Sequence, residues 1–497
     1  MALSPQDELA GIPPEHQAAW LASQPDWAIQ DMVRGEWWWT GRPEQQPPPG
    51  DWFVWLLLSG RGFGKTRTAA EWLVDRMLRY PVDTTGFRTE WGLVAEDLPD
   101  AMAMCVRGPA GIARVLERRL GPEKRHARDA SGKWRIGQVE GKPKIFLDDG
   151  QIVHVEGAKD EDVARGFNWA GAWLDEFAKW KHPDGSWAEG ILPSLRQDIP
   201  GDYPRVIVAT TPKLVVQLVE WRRTTDGSVA LTTGSTYDNA ANLSPKMLAA
   251  FHRKYHGTRL GRQELHGELI EEIEGALWRL DWIERWRVKS IPAMVQVDIG
   301  MDPASTGVGD ETGLIAAGRG VDGIDYVLGD WSKQIAGNAA ARRAWEMYIA
   351  YGASWLIVED NVAKKWLWDV LARAYDDMRK EGLFPSGGSP PIRTETAKVG
   401  KKLRAEPVAA RYEQGFNNNS GLVRHAAKLG DLETQMVSWV PQEAPESPDR
   451  VDALVYAMLH LGKLDRRHAE AADPGKATLP RTELSPLATA LPAPYGR

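Results

Sequence analysis

Leu56-Leu57-Leu58-Ser59-Gly60-Arg61-Gly62-Phe63-Gly64-Lys65-Thr66 carries an apolar run into a glycine-rich turn, then into Lys-Thr at the head of an amphipathic segment. That is the layout of a phosphate-binding loop between a buried strand and a helix. Backbone N–H groups of such a turn wrap a nucleotide's phosphates at the helix N-terminus, where the helix dipole favours negative charge. In this reading Ser59, Gly60, Arg61, Gly62, Phe63 and Gly64 form the cradle, Lys65 reaches the terminal phosphates, and the Thr66 hydroxyl binds Mg²⁺. The usual pattern is G-x-x-x-x-G-K-[ST], and Ser59 stands where its first glycine falls. A tight strand-to-helix turn with a surface lysine is the alternative that the loop alone leaves open.

The flanks favour the first reading. Short apolar runs at Val54–Leu58, Gly92–Ala95, Ala172–Leu174, Val206–Ala209 and Val229–Thr232 alternate with helical patterns. Buried runs of this length separated by helices predict an α/β fold with a parallel sheet covered on both faces. After Lys65, Ala69, Leu73, Met77 and Tyr80 recur at helical spacing. Pro143–Glu156 alternates around Asp148-Asp149-Gly150, a hairpin signal.

Nucleotide hydrolysis needs an acid for the Mg²⁺ shell and a second to orient water. Ala172-Trp173-Leu174-Asp175-Glu176 supplies both at the end of an apolar strand, Asp175 for the metal and Glu176 for the water. Val206–Ala209 runs into Thr210-Thr211-Pro212, whose hydroxyls suit a γ-phosphate sensor or, equally, a plain Thr-Pro turn. Arg61 and Arg165 are candidates for stabilising charge during phosphoryl transfer.

In the C-terminal half, acids recur at strand ends. Asp298 and Asp302 are spaced to share one strand face if extension continues that far. Glu359 and Asp360 follow the strand Trp355–Val358, and Asp449 and Asp452 sit three apart on one helical face. Two strand acids and a helix acid describe an oxygen-rich site for hard cations, where two Mg²⁺ or Mn²⁺ ions would activate water at a phosphodiester. Lys398, Lys401, Lys402 and Arg404 form a basic run that either contacts phosphates or lines a solvated helix face.

The whole chain fits this two-site plan. Its 497 residues predict two or three domains, and 43% hydrophobic content is ample for their cores. The net charge of −7 excludes a globally basic nucleic-acid coat, though not a local basic groove. A lone cysteine, Cys105, excludes an internal disulfide. Neither a secretory signal nor an apolar run near the ~20 residues of a membrane span is visible, so a cytoplasmic protein with no membrane partner is expected. The 24 tryptophans are expected chiefly in cores. No internal repeat is apparent.

Taken together, Arg42-Pro43-Glu44-Gln45, Gly60–Thr66, Trp173–Glu176, Gly275–Trp278, Asp302-Pro303-Ala304, Glu359-Asp360-Asn361 and Pro448–Leu454 resemble the large terminase subunit of tailed bacteriophages and gene transfer agents. The resemblance spans about residues 35–462 and implies a P-loop NTPase domain followed by an RNase H-like nuclease domain. The expected boundaries are a preface at 1–50, the ATPase at 51–275, a linker at 276–292, the nuclease at 293–464 and a disordered tail at 465–497. It implies that Gln45 contacts the adenine, that Arg61 acts within the loop, and that Arg165 serves a neighbouring subunit's ATP. Asp-Pro-Ala favours Asp302 over Asp298 as the first nuclease acid, and Asp452 over Asp449 as the helix acid. The implied activity is ATP-driven packaging of double-stranded DNA into a procapsid, with cutting of the concatemer. The implied cofactors are ATP with Mg²⁺ and, at the nuclease, Mg²⁺ or Mn²⁺. The implied partners are the portal protein and the small terminase subunit, with a homo-oligomeric ring at work in the host cytoplasm. A recombination or repair enzyme with the same two domains is the rival, as is a C-terminal half that only docks DNA or portal.

Overall fold

The computed structural model describes residues 5–24, 29, 37–79, 89–124, 132–159, 161–199, 201–255, 258–304, 311–360, 364–385, 388–396, 400–444 and 448–471. The chain forms two compact units, Met1–Ile270 and Glu271–Arg497.

The apolar runs of the first unit become strands because their β-branched and large aliphatic side chains bury on both faces of one sheet. Strand β1 (Val54–Ser59) is buried along its whole length, as is β6 (Gly171–Asp175). Burying leucines such as Leu56, Leu57 and Leu58 contributes roughly 1.5–3 kcal/mol each relative to exposure. With β2 (Glu90–Ala95), β5 (Ile152–Gly157), β7 (Arg205–Thr210) and β8 (Val229–Gly234) they form a parallel array in the order β5-β2-β6-β7-β1-β8. Strands β3 (Trp134–Val139) and β4 (Lys142–Leu147) extend it antiparallel beyond β5, and the β4–β5 turn falls at the expected Asp148-Asp149-Gly150. The helix Lys65–Arg79 leaves the end of the loop and packs on β6 and β7. Strand β7 lies between the loop strand and the acid strand, so Thr210 and Thr211 emerge between Lys65 and Asp175-Glu176.

The second unit is built on a six-stranded mixed sheet. Strands β9 (Met294–Asp302), β10 (Gly313–Gly320) and β11 (Asp325–Asp330) form an antiparallel meander. Strand β12 (Trp355–Asp360) joins the other edge of β9 in parallel, and β13 (Ile392–Thr396) joins β12. The short β14 (Val423–His425) pairs with β11, giving the order β13-β12-β9-β10-β11-β14. Both units are thus α/β as expected, the first on a largely parallel sheet and the second on a mixed one.

The helix Asp449–Ala471 packs on β9 and β10, and two glycines set how close it comes. A Cβ on Gly300 would lie 1.9 Å from the Ala453 carbonyl oxygen, and one on Gly313 2.2 Å from that of Asp449. Backbone approach of this kind excludes any side chain at those positions. It also carries the helix's first turn, with Asp449 and Asp452, to the end of β9.

Several expectations change. The helix runs to Ala471, past Asp465 where the tail was expected to begin, and residues 472–497 lie outside the described residues. The segment 276–292, expected as a linker, buries Trp278, Leu280 and Ile283. The tryptophans behave as expected: Trp55, Trp91, Trp134, Trp169, Trp173, Trp278 and Trp345 are fully buried. No described helix is long and apolar enough to cross a membrane.

Candidate functional site

In the first unit the loop takes the backbone conformation that its glycines permit. Gly62 and Gly64 have φ of +74° and +108°, in the left-handed region that side-chain-bearing residues rarely adopt. Gly60 is held for a different reason. A Cβ there would meet the backbone oxygens of Leu265 and Glu264 at 2.5 and 2.9 Å. The stretch 236–268 is therefore a wall of the loop: the Arg61 N–H donates to the Glu264 carbonyl at 2.7 Å. Glu264 also forms an ion pair with the Arg61 guanidinium, which raises the latter above its ordinary value. Sequence reasoning missed Glu264, because nothing local marks a partner 203 residues away.

Lys65 is buried and curls back over the loop. Its ammonium donates to the carbonyl oxygens of Ser59 and Gly60, each at 3.1 Å, and to Thr211 Oγ1 at 3.0 Å. Glu176 Oε1 lies 4.0 Å away. Burial lowers the Lys65 pKa, against the pull of Glu176 and Asp175. Thr66 sits in the helix's first turn, partly exposed.

Asp175 closes β6, with Trp173 Nε1 donating to its Oδ1 at 3.2 Å and the Cys105 thiol hydrogen-bonded to the same carboxylate. Burial, then the neighbouring Glu176, push its carboxyl up to about 6. Glu176 adopts left-handed backbone, φ +48° and ψ +41°, rare for a non-glycine residue. Such strain persists where the surroundings over-determine it. Here the Glu176 N–H donates to the Ala209 carbonyl at 2.7 Å, and its Oε2 accepts from the Thr211 N–H at 3.3 Å. Burial works to raise this carboxyl, but Lys65, Lys179 and the Thr211 N–H hold it below its ordinary value.

The two threonines separate. Thr211 bonds both Lys65 and Glu176, whereas the Thr210 hydroxyl accepts from the Ala178 N–H at 3.0 Å and so braces the turn after Glu176. Thr210, singled out from sequence to touch nucleotide, is a brace, and Thr211 is the residue at the lysine. Gln45 is buried against the loop, its amide donating to Thr68 Oγ1 at 3.0 Å, with its nitrogen 2.6 Å from where a Gly64 Cβ would stand. Arg42, quoted only as part of a motif, grips the loop directly: it donates to the Phe63 carbonyl at 2.6 Å and to Asn239 Oδ1 at 2.5 Å. Arg165 is exposed on a turn beside Glu189.

A nucleotide's phosphates fit this set. The loop offers a helix N-terminus and a lysine, the buried Ser59 hydroxyl has no hydrogen-bond partner, and the acids for a Mg²⁺ shell stand across from Lys65.

In the second unit, the end of β9, the end of β12 and the first turn of the helix Asp449–Ala471 bring Asp302, Glu359 and Asp452 together. Burial, then Asp452, raise the Asp302 carboxyl well above its usual range; Asp449 and Glu359 add to this and Lys401 opposes it. Asp449 accepts from the Glu311 N–H at 3.2 Å. Arg404 pairs with Glu359 at 3.1 Å, and the Tyr456 hydroxyl donates to the same carboxylate at 3.1 Å. Lys401 Nζ lies 2.6 Å from Asp452 Oδ2. Asp298 stands apart from this cluster, bonded to His460 Nδ1 at 2.7 Å and to the Gln296 amide at 2.9 and 2.8 Å. Its place as a metal ligand is therefore not supported, although β9 stays extended through both acids. Of the basic run, Lys401 and Arg404 turn inward onto acids and Lys402 pairs with Glu406 at 3.6 Å. Lys398 and Asn361 lie outside the described residues. A carboxylate cluster in which burial and neighbouring acids raise Asp302, offering oxygen alone, fits a hard divalent cation, which relieves the repulsion.

Residues 56–285 match the family model described as terminase large subunit, T4likevirus-type, N-terminal. No curated protein sequence matches the chain. Among solved structures, the large terminase of bacteriophage HK97 is 13% identical, with 88% of this chain and 95% of that one covered and a TM-score of 0.38. The large terminase from a thermophilic bacteriophage, in complex with ATP-gamma-S, is 15% identical, over 86% of this chain and 97% of that one, with a TM-score of 0.34. The nuclease domain of the large terminase subunit gp2 of bacterial virus Sf6 is 13% identical, over 37% of this chain and 98% of that domain, with a TM-score of 0.28.

Proposed function

We propose that this chain, which carries the N-terminal part of the large terminase subunit family at residues 56–285, is the motor and nuclease subunit of a phage DNA-packaging machine. The observation that carries the reading is the pairing, in one chain, of a lysine-bearing phosphate loop facing Asp175-Glu176 with a carboxylate cluster on an RNase H-like sheet.

At the first site, bound ATP with Mg²⁺ supplies the phosphoryl group to be transferred. Thr66 and Asp175 would hold the metal, and Gln45 would meet the base. Lys65 would exchange its loop carbonyls for phosphate oxygens. Glu176, held ionised by Lys65 and Lys179, is suited to accept a proton from water. Thr211 touches both Lys65 and Glu176, so a change at the phosphates reaches β7 through one residue. Arg61 is paired with Glu264, and Arg165, exposed, is the better candidate to serve a neighbouring subunit in a ring.

At the second site Asp302, Glu359 and Asp452 would hold Mg²⁺ or Mn²⁺, with Asp449 at the margin. The metal supplies Lewis acidity and a lowered water pKa. Double-stranded DNA is the substrate, the portal and a small subunit are the partners, and the host cytoplasm is the place of work. The test is paired. Purified chain should turn over ATP, and with Mn²⁺ it should cut plasmid. A protein that binds DNA but leaves plasmid intact with either metal would instead favour a C-terminal half that only docks.

A further inference from the structure

We propose that Lys401 is a built-in competitor for the divalent cation: its ammonium holds Asp452 in the metal-free chain and must leave for a cation to be bound, so this residue sets the site's metal affinity. The inference rests on the reading of Asp302, Glu359 and Asp452 as a cation site.

Two cations from one helix, Lys401–Asn417, face the cluster, and they are held very differently. Arg404 is buried, at 7% exposure, with its guanidinium 5.4 Å from the centre of the Tyr456 ring and 3.1 Å from Glu359. The tyrosine that it stacks on donates to the same glutamate, so Arg404, Tyr456 and Glu359 form a closed unit. Lys401 is the first residue of the helix and keeps 31% of its side chain exposed. It is a point charge on a flexible four-carbon stem, whereas the guanidinium is a rigid fork. Among the two, Lys401 is the one able to move.

Its position is that of a stand-in cation. The ammonium lies 2.6 Å from Asp452 Oδ2, and its charge acts on Asp302 and Glu359 as well. One positive charge thus serves three carboxylates that would share a divalent ion. A metal entering the cluster needs the Asp452 carboxylate, whose Oδ2 Lys401 holds. Binding is then an exchange, and its affinity is reduced by whatever free energy the lysine contact contributes to the metal-free state. A charge-assisted contact of this kind contributes enough to shift an equilibrium about tenfold.

The test is calorimetric titration of Mn²⁺ into the full chain, without nucleotide or DNA, for wild type, Lys401→Met, Lys401→Arg and Asp302→Asn. The expected result is Mn²⁺ binding that depends on Asp302 and is about tenfold tighter in Lys401→Met. Lys401→Arg, which keeps the charge, should stay near wild type. Equal or weaker binding in Lys401→Met, with Asp302-dependent binding intact in wild type, overturns the competitor role and leaves the cation site standing. Absence of Asp302-dependent binding in both overturns the cation site and the competitor together. A second measurement needs no variant. Amine labelling of Lys401, read by peptide mass spectrometry in wild type, should speed up several-fold at saturating Mn²⁺ as the ammonium is released. An unchanged rate overturns the proposal.

Discussion

In the first unit a lysine of the chain, Lys65, is held among oxygens at the place that phosphates would take. In the second unit, carboxylates are held around a lysine, Lys401, at the place that a metal would take. Each site thus sets its own opposite charges against each other, one around a single cation and the other around a group of carboxylates. The difference lies in how the partners are supplied. Lys65 bonds carbonyls five and six residues away, and its acids are adjacent in sequence at 175 and 176. The second site gathers residues 302, 359, 401, 404 and 452 from two strands and two helices. The first site's loop and acid pair are each read from one local stretch, whereas the second site takes its residues singly or in pairs from four elements and depends on every packing contact that positions them.

The sharpest way to break the comparison is to silence each site alone. Glu176→Gln keeps the shape of the side chain but cannot take a proton, and ATP turnover should fall about 10²–10⁴-fold. Metal-dependent cutting of plasmid should be unchanged. Asp302→Asn should do the reverse, lowering cutting by more than about 100-fold, beyond the usual cost of losing a residue that merely orients a ligand. If Glu176→Gln left ATP turnover intact, the role given to that glutamate would be wrong. Loss of both activities in either variant would mean that the two sites are not independent.

The next effect tests the dependence of the second unit on its packing. Glu433 lies fully buried between His425 Nδ1, at 2.8 Å, and the Arg287 guanidinium, at 2.6 and 2.8 Å. Burial alone would raise Glu433, but Arg287 and His425 hold it far below its ordinary value, while burial lowers His425. Glu433→Gln should cost about 3 kcal/mol, because it leaves a cation without its counter-charge. The pH dependence has a definite sign. Glu433 is depressed, so its stabilisation is present above its unfolded pKa of about 4.5 and is lost as the pH falls further. Neutral His425 behaves alike, losing stability as the pH drops below about 6.5, where the unfolded side chain takes up a proton. Chemical denaturation between pH 7 and pH 4 should show the wild-type protein losing stability toward acid. The deficit of Glu433→Gln should hold down to about pH 4.5 and shrink only below it.

The same contrast explains what could be read from the sequence. The glycine loop and Asp175-Glu176 are local patterns, and the runs flanking them announce a parallel sheet by length and composition. The acids at 302, 359 and 452 are legible as strand-end and helix acids, but not their grouping, and strand geometry alone allows Asp298 as well as Asp302. What separates those two is the direction in which the helix Asp449–Ala471 crosses the sheet: its first turn meets Asp302, while His460, two turns on, meets Asp298. That crossing depends on Gly300 and Gly313, whose meaning appears only once the helix lies on them. Thr211 against Thr210 is a subtler case. Thr210 ends β7 and Thr211 follows it, and only the register with β1 and β6 decides which hydroxyl reaches Lys65.

The smallest expected effect tests whether the loop is as self-contained as the comparison makes it. Arg42 reaches the Phe63 carbonyl and Asn239 with two separate nitrogens, and its guanidinium lies 4.8 Å from the centre of the Phe63 ring. Asn239 in turn donates to the Gly62 carbonyl at 2.6 Å. The two side chains thus fix successive peptide groups of the loop from outside it, just where Gly62 and Gly64 leave the backbone free to adopt other conformations. Arg42 touches none of the acids, so its loss should loosen the cradle without removing a reacting group. Arg42→Ala should therefore raise the KM for ATP by about tenfold or less, the worth of one charge-assisted hydrogen bond, with kcat changed far less. Arg42→Lys should recover little, because one ammonium cannot span both acceptors and stack on the ring as well. An effect confined to kcat would place Arg42 in the chemistry itself. No effect on either constant would show that the glycine loop holds its shape unaided.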